Sequence, residues 1–114
     1  MSEPPEGVQN QLAKLKKKYA ADLPLKVARV EEQVGAFLAA GWSEELCFTT
    51  YRLIHSLAGS AGTYGFGELG NTARTGEQLI KKSLESKTPL GDPERRELSA
   101  ILSKMKELAA AAAG

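Results

Sequence analysis

The sequence predicts an all-α protein, an antiparallel up-down four-helix bundle with an extra N-terminal helix or helical extension. Three observations predict it. Apolar residues recur at helical spacing along nearly the whole chain, and no alternating stretch of strand type occurs. The breaks fall at glycine and proline: Gly41, Gly65 to Gly67, and Pro89 to Gly91. Amphipathic helices with short links pack side by side and antiparallel. A chain of 114 residues is one domain by length. It buries about two-thirds of its unfolded surface, enough to fold without metal or disulfide.

The elements follow in order. Residues 1–7 carry two prolines and a glycine and read as a disordered lead-in to a single domain over 8–110. A first helix spans 8–21, with Leu12, Leu15 and Tyr19 on one side. Pro24 either kinks this helix or opens a second one at its first turn. The stripe of Val27, Val30, Val34, Phe37 and Leu38 then runs to Gly41, a C-terminal glycine cap. Ser43 is an N-cap, and Glu44 and Glu45 suit the positive end of the next helix, which reaches Tyr64. The helix over 68–86 turns Leu69, Ala73, Gly76, Ile80 and Leu84 inward. Asp92 is expected to cap the last helix, with Pro93 at its first position. That helix carries Leu98, Ile101, Leu102, Met105 and Leu108 and ends in a frayed tail over 111–114.

Composition excludes several functions. Fifteen basic residues against fourteen acidic ones leave a net charge of +1, without the basic excess of a nucleic-acid binder. The single cysteine, Cys47, rules out an intramolecular disulfide and a four-cysteine zinc site. The single histidine, His55, rules out a multi-histidine metal site. No apolar run of about 18 residues is long enough to cross a membrane, and the polar, acidic start is unlike a secretory signal, so a cytoplasmic location is expected. Gly65, Gly67 and Gly70 fit G-x-G-x-x-G by spacing, but they lie between helices with no strand before them, so they make no nucleotide site.

The chemistry concentrates on the third helical stretch. On a helical wheel Cys47, Ile54, Leu57 and Ala61 define the core face, and His55 lies roughly 130° away from its centre. The only histidine therefore faces solvent in the middle of a long helix. Gly59 and Gly62 follow it by one and two turns on its own face. Each interior helical glycine costs about 0.8–1.0 kcal/mol relative to alanine, so a reason other than helix formation is required. One such reason is close approach of a partner's backbone; packing against a neighbouring helix is the other. Phe48, Tyr51 and Ala58 add apolar surface around the imidazole, a pattern of docking sites. An exposed neutral imidazole can act as a nucleophile toward a phosphoryl group, with positioning and charge supplied from outside.

The run from His55 through Leu57, Gly59, Ser60 and Ala61 to Gly65 resembles the signature of histidine-containing phosphotransfer domains. Leu69, Ala73 and Glu77 fit the helix that follows in that family, and the resemblance spans residues 23–108 in element order. It implies a four-helix bundle. It implies that His55 accepts a phosphoryl group on its Nε2 atom from a receiver-domain aspartate, or passes one back, in a two-component phosphorelay. It also implies a carrier rather than a self-sufficient enzyme, with no cofactor of its own and with Mg²⁺ held in the partner receiver. Ala58 stands where the family commonly has lysine. Arg52, Ser56 and Ser60 are then the expected phosphate neighbours, and Phe48, Tyr51, Ala58, Gly59 and Gly62 the docking surface. Expected partners are a response-regulator receiver or a hybrid histidine kinase, with no nucleic acid, no membrane and a monomeric chain. The alternative is a docking module on the same bundle that is never phosphorylated.

Overall fold

A computed structural model describes residues 6–114. It is a four-helix bundle: α1 (Glu6–Ala39), α2 (Glu44–Thr63), α3 (Gly67–Ser86) and α4 (Asp92–Ala113). α1 packs on α2 and α4, and α3 packs on the same two, while the backbones of the diagonal pairs stay apart across the core. The core between them is built on Leu23, Phe37, Ile54, Ile80, Leu98 and Met105, all nearly inaccessible. Among the described residues no helix is long and apolar enough to cross a membrane.

The extra N-terminal helix is not separate. α1 is one helix of 34 residues that continues without a break through Pro24. An interior proline costs about 3 kcal/mol relative to alanine. That local cost is outweighed by the apolar stripe on either side of it, where Leu23, Val27 and Val30 are buried. Each such side chain contributes about 1.5–3 kcal/mol. Pro24 itself is exposed, so the ring meets water rather than a neighbouring helix. Of the expected lead-in, residues 1–5 lie outside the described residues, and Glu6 and Gly7 already belong to α1. α1 ends before Gly41, whose φ of +73° only glycine adopts without strain. The Arg95 guanidinium donates to the Leu38 carbonyl at 2.9 Å and ties that end to α4.

α2 starts at Ser43, whose hydroxyl accepts from the Leu46 N–H at 3.2 Å. It ends in a Schellman motif. The Phe66 N–H reaches the Ala61 carbonyl at 2.8 Å, the Gly65 N–H reaches that of Gly62 at 3.1 Å, and Gly65 has φ +87°. Gly70 and Gly76 let α3 lie close to its neighbours. A Cβ on Gly70 would stand 3.0 Å from the Ala58 carbonyl oxygen, and one on Gly76 would stand 3.3 Å from Ile101. The N-cap of α4 is Gly91 rather than Asp92, which sits with Pro93 inside the first turn. α4 continues through the alanine tail to Ala113, with Ala109 buried and Ala112 packed against the core.

Candidate functional site

His55 stands on the outer shoulder of α2, beside α3. Its side chain is 66% exposed, as the wheel required. Beneath it lies a residue that sequence reasoning placed on the next helix without assigning a task. Glu77 of α3 is buried, at 6% side-chain exposure, and its Oε1 accepts a hydrogen bond from His55 Nδ1. No other hydrogen-bond or ion-pair partner of this carboxylate occurs among the described residues. A signal for it existed: Glu77 sits four residues after Ala73 and three before Ile80, inside the apolar stripe of its helix. A carboxylate in a core stripe needs a partner.

The contact decides the chemistry of the ring. With its Nδ1–H donated to Glu77, the neutral form of the imidazole carries its lone pair on Nε2, which has no hydrogen-bond partner among the described residues. Tyr51 stacks loosely beside the ring, with centroids 5.9 Å apart and planes 20° apart. The ring is thus held on one side by a carboxylate and flanked on another by an aromatic plane.

Gly59 and Gly62 are exposed, and a Cβ on either would meet nothing within 4 Å. Packing against a neighbouring helix therefore does not account for them. They leave a side-chain-free strip of α2 running away from His55. Phe48, 49% exposed, borders the site on the other side, with the Arg52 guanidinium 5.8 Å above its ring. From there an open groove between α1 and α2 is lined by Gln33, Phe48, Thr49, Arg52, Leu53 and Ser56. It continues into a smaller hollow that adds Lys26 and Arg29.

Two expected site residues are elsewhere. Ala58 is 1% exposed, because α3 closes over it where Gly70 meets its carbonyl, so its side chain offers nothing to a partner. Ser60 lies five residues beyond His55, about 140° round the helix. Its hydroxyl is 2.6 Å from the Tyr19 hydroxyl of α1 and 3.3 Å from the Leu57 carbonyl, turned away from the imidazole. Ser56 and Arg52 are exposed near His55. A further cation was missed: Lys81 is exposed on α3 one turn after Glu77. Its ion pair with Glu85 is long, at 3.9 Å, and exposed.

Among the described residues no group of three His, Cys, Asp or Glu could hold a metal ion. Cys47 is fully buried, and burial pushes its thiol above the ordinary value of 9.0, so it behaves as a small apolar side chain. No protein-family model, curated protein or solved structure matches this chain.

Proposed function

We propose that this protein is a phosphohistidine carrier that exchanges a phosphoryl group with the aspartate of a receiver domain. The observation that carries the reading is the exposed His55 ring held through Nδ1 by buried Glu77, which leaves Nε2 as the unpartnered nucleophile. The Nε2 lone pair attacks the phosphorus of an aspartyl phosphate. The N–P bond forms as the P–O bond to the aspartate breaks, and the carboxylate leaves with the bonding electrons. The ring gains positive charge in this step, and the Glu77 carboxylate offsets it from the Nδ1 side. Because both ends of the exchange are high-energy phosphoryl carriers, the same geometry serves the reverse direction.

The chain supplies a nucleophile and a landing surface, and little else. Gly59 and Gly62 admit a partner's backbone close to the ring, and Phe48 and Tyr51 offer apolar contact. Arg29, Arg52 and Lys26 along the α1–α2 groove suit a partner with an acidic rim. Mg²⁺ would belong to that partner's own phosphorylation pocket. Arg52, exposed one turn before His55, is the cation on that helix nearest to meet the phosphoryl oxygens, since position 58 is an alanine turned inward.

A second reading keeps the docking surface and drops the covalent step. The inward alanine at position 58 favours it, because no cation follows His55 by one turn on its own helix. One experiment separates the two. Radiolabelled phosphoreceivers are mixed with the wild-type chain and with His55→Gln in the presence of Mg²⁺. Acid-labile label on the wild type alone supports the carrier. Receiver binding without label on either protein supports the docking module. Neither label nor binding across the receivers of the source organism refutes both.

A further inference from the structure

α1 carries two basic stretches. The first, Lys14 and Lys16 to Lys18, belongs to the end that projects past the bundle, where every residue from Glu6 to Lys18 is exposed. The second, Lys26 and Arg29, lies on the bundle itself and lines a hollow against α2 with a volume of about 100 Å³. With Arg52 of α2, these are the only charged residues lining the groove between the two helices, and all three are cations. None has a carboxylate within ion-pair distance among the described residues. Lys26 lies 5.5 Å above the Tyr19 ring and Arg52 5.8 Å above that of Phe48, and neither aromatic face neutralises the charge. In a chain of net charge +1, this is a local excess that the fold itself leaves uncompensated. The wall of the hollow adds the apolar side chains of Val30, Leu53 and Leu57. An anionic head on an aliphatic stem fits both features, which is a glutamate or aspartate side chain rather than a free ion.

We propose that Lys26 and Arg29 choose the receiver: they take a carboxylate side chain that the cognate receiver carries on the surface around its phosphorylation pocket. Selection by charge then sits on α1, a helix that takes no part in the chemistry, and it presupposes the carrier reading of His55. Position supports this occupant. Ser56, which follows His55 in the chain, lines both hollows of the groove. Leu53 lines both as well and stands two residues from His55, about 3 Å along the helix axis. Neighbouring helix axes lie about 8–10 Å apart. A standard interface buries about 800 Å² of each partner, a patch about 16 Å in radius. A domain that lands on His55 therefore covers Lys26 and Arg29 too. A receiver with an acid at this place replaces the displaced water with a charge-assisted hydrogen bond. One with a neutral or basic side chain there strips the cations of water and returns nothing, so desolvation and repulsion reject it.

Titration calorimetry against the receivers of the source organism, with Mg²⁺ present, tests this on wild type, Lys26→Glu, Arg29→Glu and Arg29→Lys. Each reversal should weaken binding of the best wild-type receiver about tenfold at low salt, and less as salt rises. Arg29→Lys should retain most of the affinity. Arg29→Glu should keep the wild-type helical spectrum, since the side chain is exposed. Changing one acidic residue of that receiver to lysine should restore its binding to Arg29→Glu, a rescue that damage to the fold would not permit. Unchanged receiver binding in both reversals overturns the proposal and leaves the carrier reading intact. An equal loss for every receiver, with no receiver change that rescues it, also overturns it, because affinity is then set without selection. No receiver binding by wild type defeats the carrier reading and the proposal together. Phosphatidylglycerol vesicles that bind wild type but not the reversals, with receiver binding unaltered, assign these cations to a lipid surface and overturn it as well.

Discussion

His55→Ala should cost stability, although the residue is exposed. Surface substitutions usually move stability by less than about 0.5 kcal/mol, and on the sequence alone removal of this histidine looks equally harmless. The structure places a buried carboxylate beneath it. Glu77 is 6% exposed, and His55 Nδ1 is its hydrogen-bond partner. A hydrogen bond to a charged group contributes about 1.5–3 kcal/mol, and an orphaned buried acceptor adds a desolvation cost. The imidazole end is 66% exposed, and solvent screening there discounts the figure. The expected loss is about 1–2 kcal/mol, a fall of about 1 M in the urea midpoint at an m-value near 1.5 kcal/mol/M. Urea unfolding at pH 7 of wild type, His55→Ala, Glu77→Leu and the double variant closes the cycle. Glu77→Leu on the alanine background should recover most of the loss, because it removes the orphan. If His55→Ala unfolds within about 0.5 kcal/mol of wild type, the Glu77 contact does not hold the ring, and the argument for Nε2 fails with it.

Other outcomes follow from the same packing. Gly59→Ala, with open space around its Cβ, should stabilise the helix by about 0.5–1 kcal/mol. Gly70→Ala, facing the Ala58 carbonyl at 3.0 Å, should destabilise by about 1–3 kcal/mol, and thermal melts of the pair should shift in opposite directions. Pro24→Ala should stabilise by about 2–2.5 kcal/mol, the helix-interior penalty less the stiffening that proline gives the unfolded chain; a loss in urea unfolding would mean that α1 needs the proline. The Cys47 thiol is pushed up by burial, so the folded state holds its proton where the unfolded state releases it. Stability should fall as pH rises above about 8.5, and Cys47→Ala should flatten that limb in unfolding curves taken from pH 7 to 10. Arg52→Ala should slow phosphoryl acceptance by His55 or shorten the phosphohistidine lifetime several-fold, and more so at low salt, while Lys82→Ala should do neither.

Much of the bundle was legible because the apolar period is a local signal. The stripe of α2, the caps at Ser43 and Gly41 and the break at Gly65 fall where the sequence puts them. What was not legible depended on neighbours distant in sequence. Pro24 leaves two outcomes open by local rules, and the seven side chains that α1 buries decide between them. Ala58 reads as a border position on the wheel; whether it is covered depends on how closely α3 approaches, and that is set by Gly70. Ser60 is a free hydroxyl on one helix, and Tyr19, forty-one positions earlier, takes it. Glu77 is the instructive case. Its place in the apolar stripe of α3 was visible, but the partner that makes a buried acid tolerable sits on α2.

The overhang of α1 has a hydrodynamic consequence. The molecule measures 51 × 28 × 19 Å and has a radius of gyration of 15.9 Å, against about 13 Å for a compact domain of this length. A rod-like end adds friction without adding mass. The monomer should therefore leave a size-exclusion column ahead of a spherical standard of 12.2 kDa, and tumble anisotropically in fluorescence depolarisation. An early elution peak is what an elongated single chain produces as readily as a dimer. Light scattering or sedimentation equilibrium, which weigh the particle instead of timing it, is needed to tell one from the other.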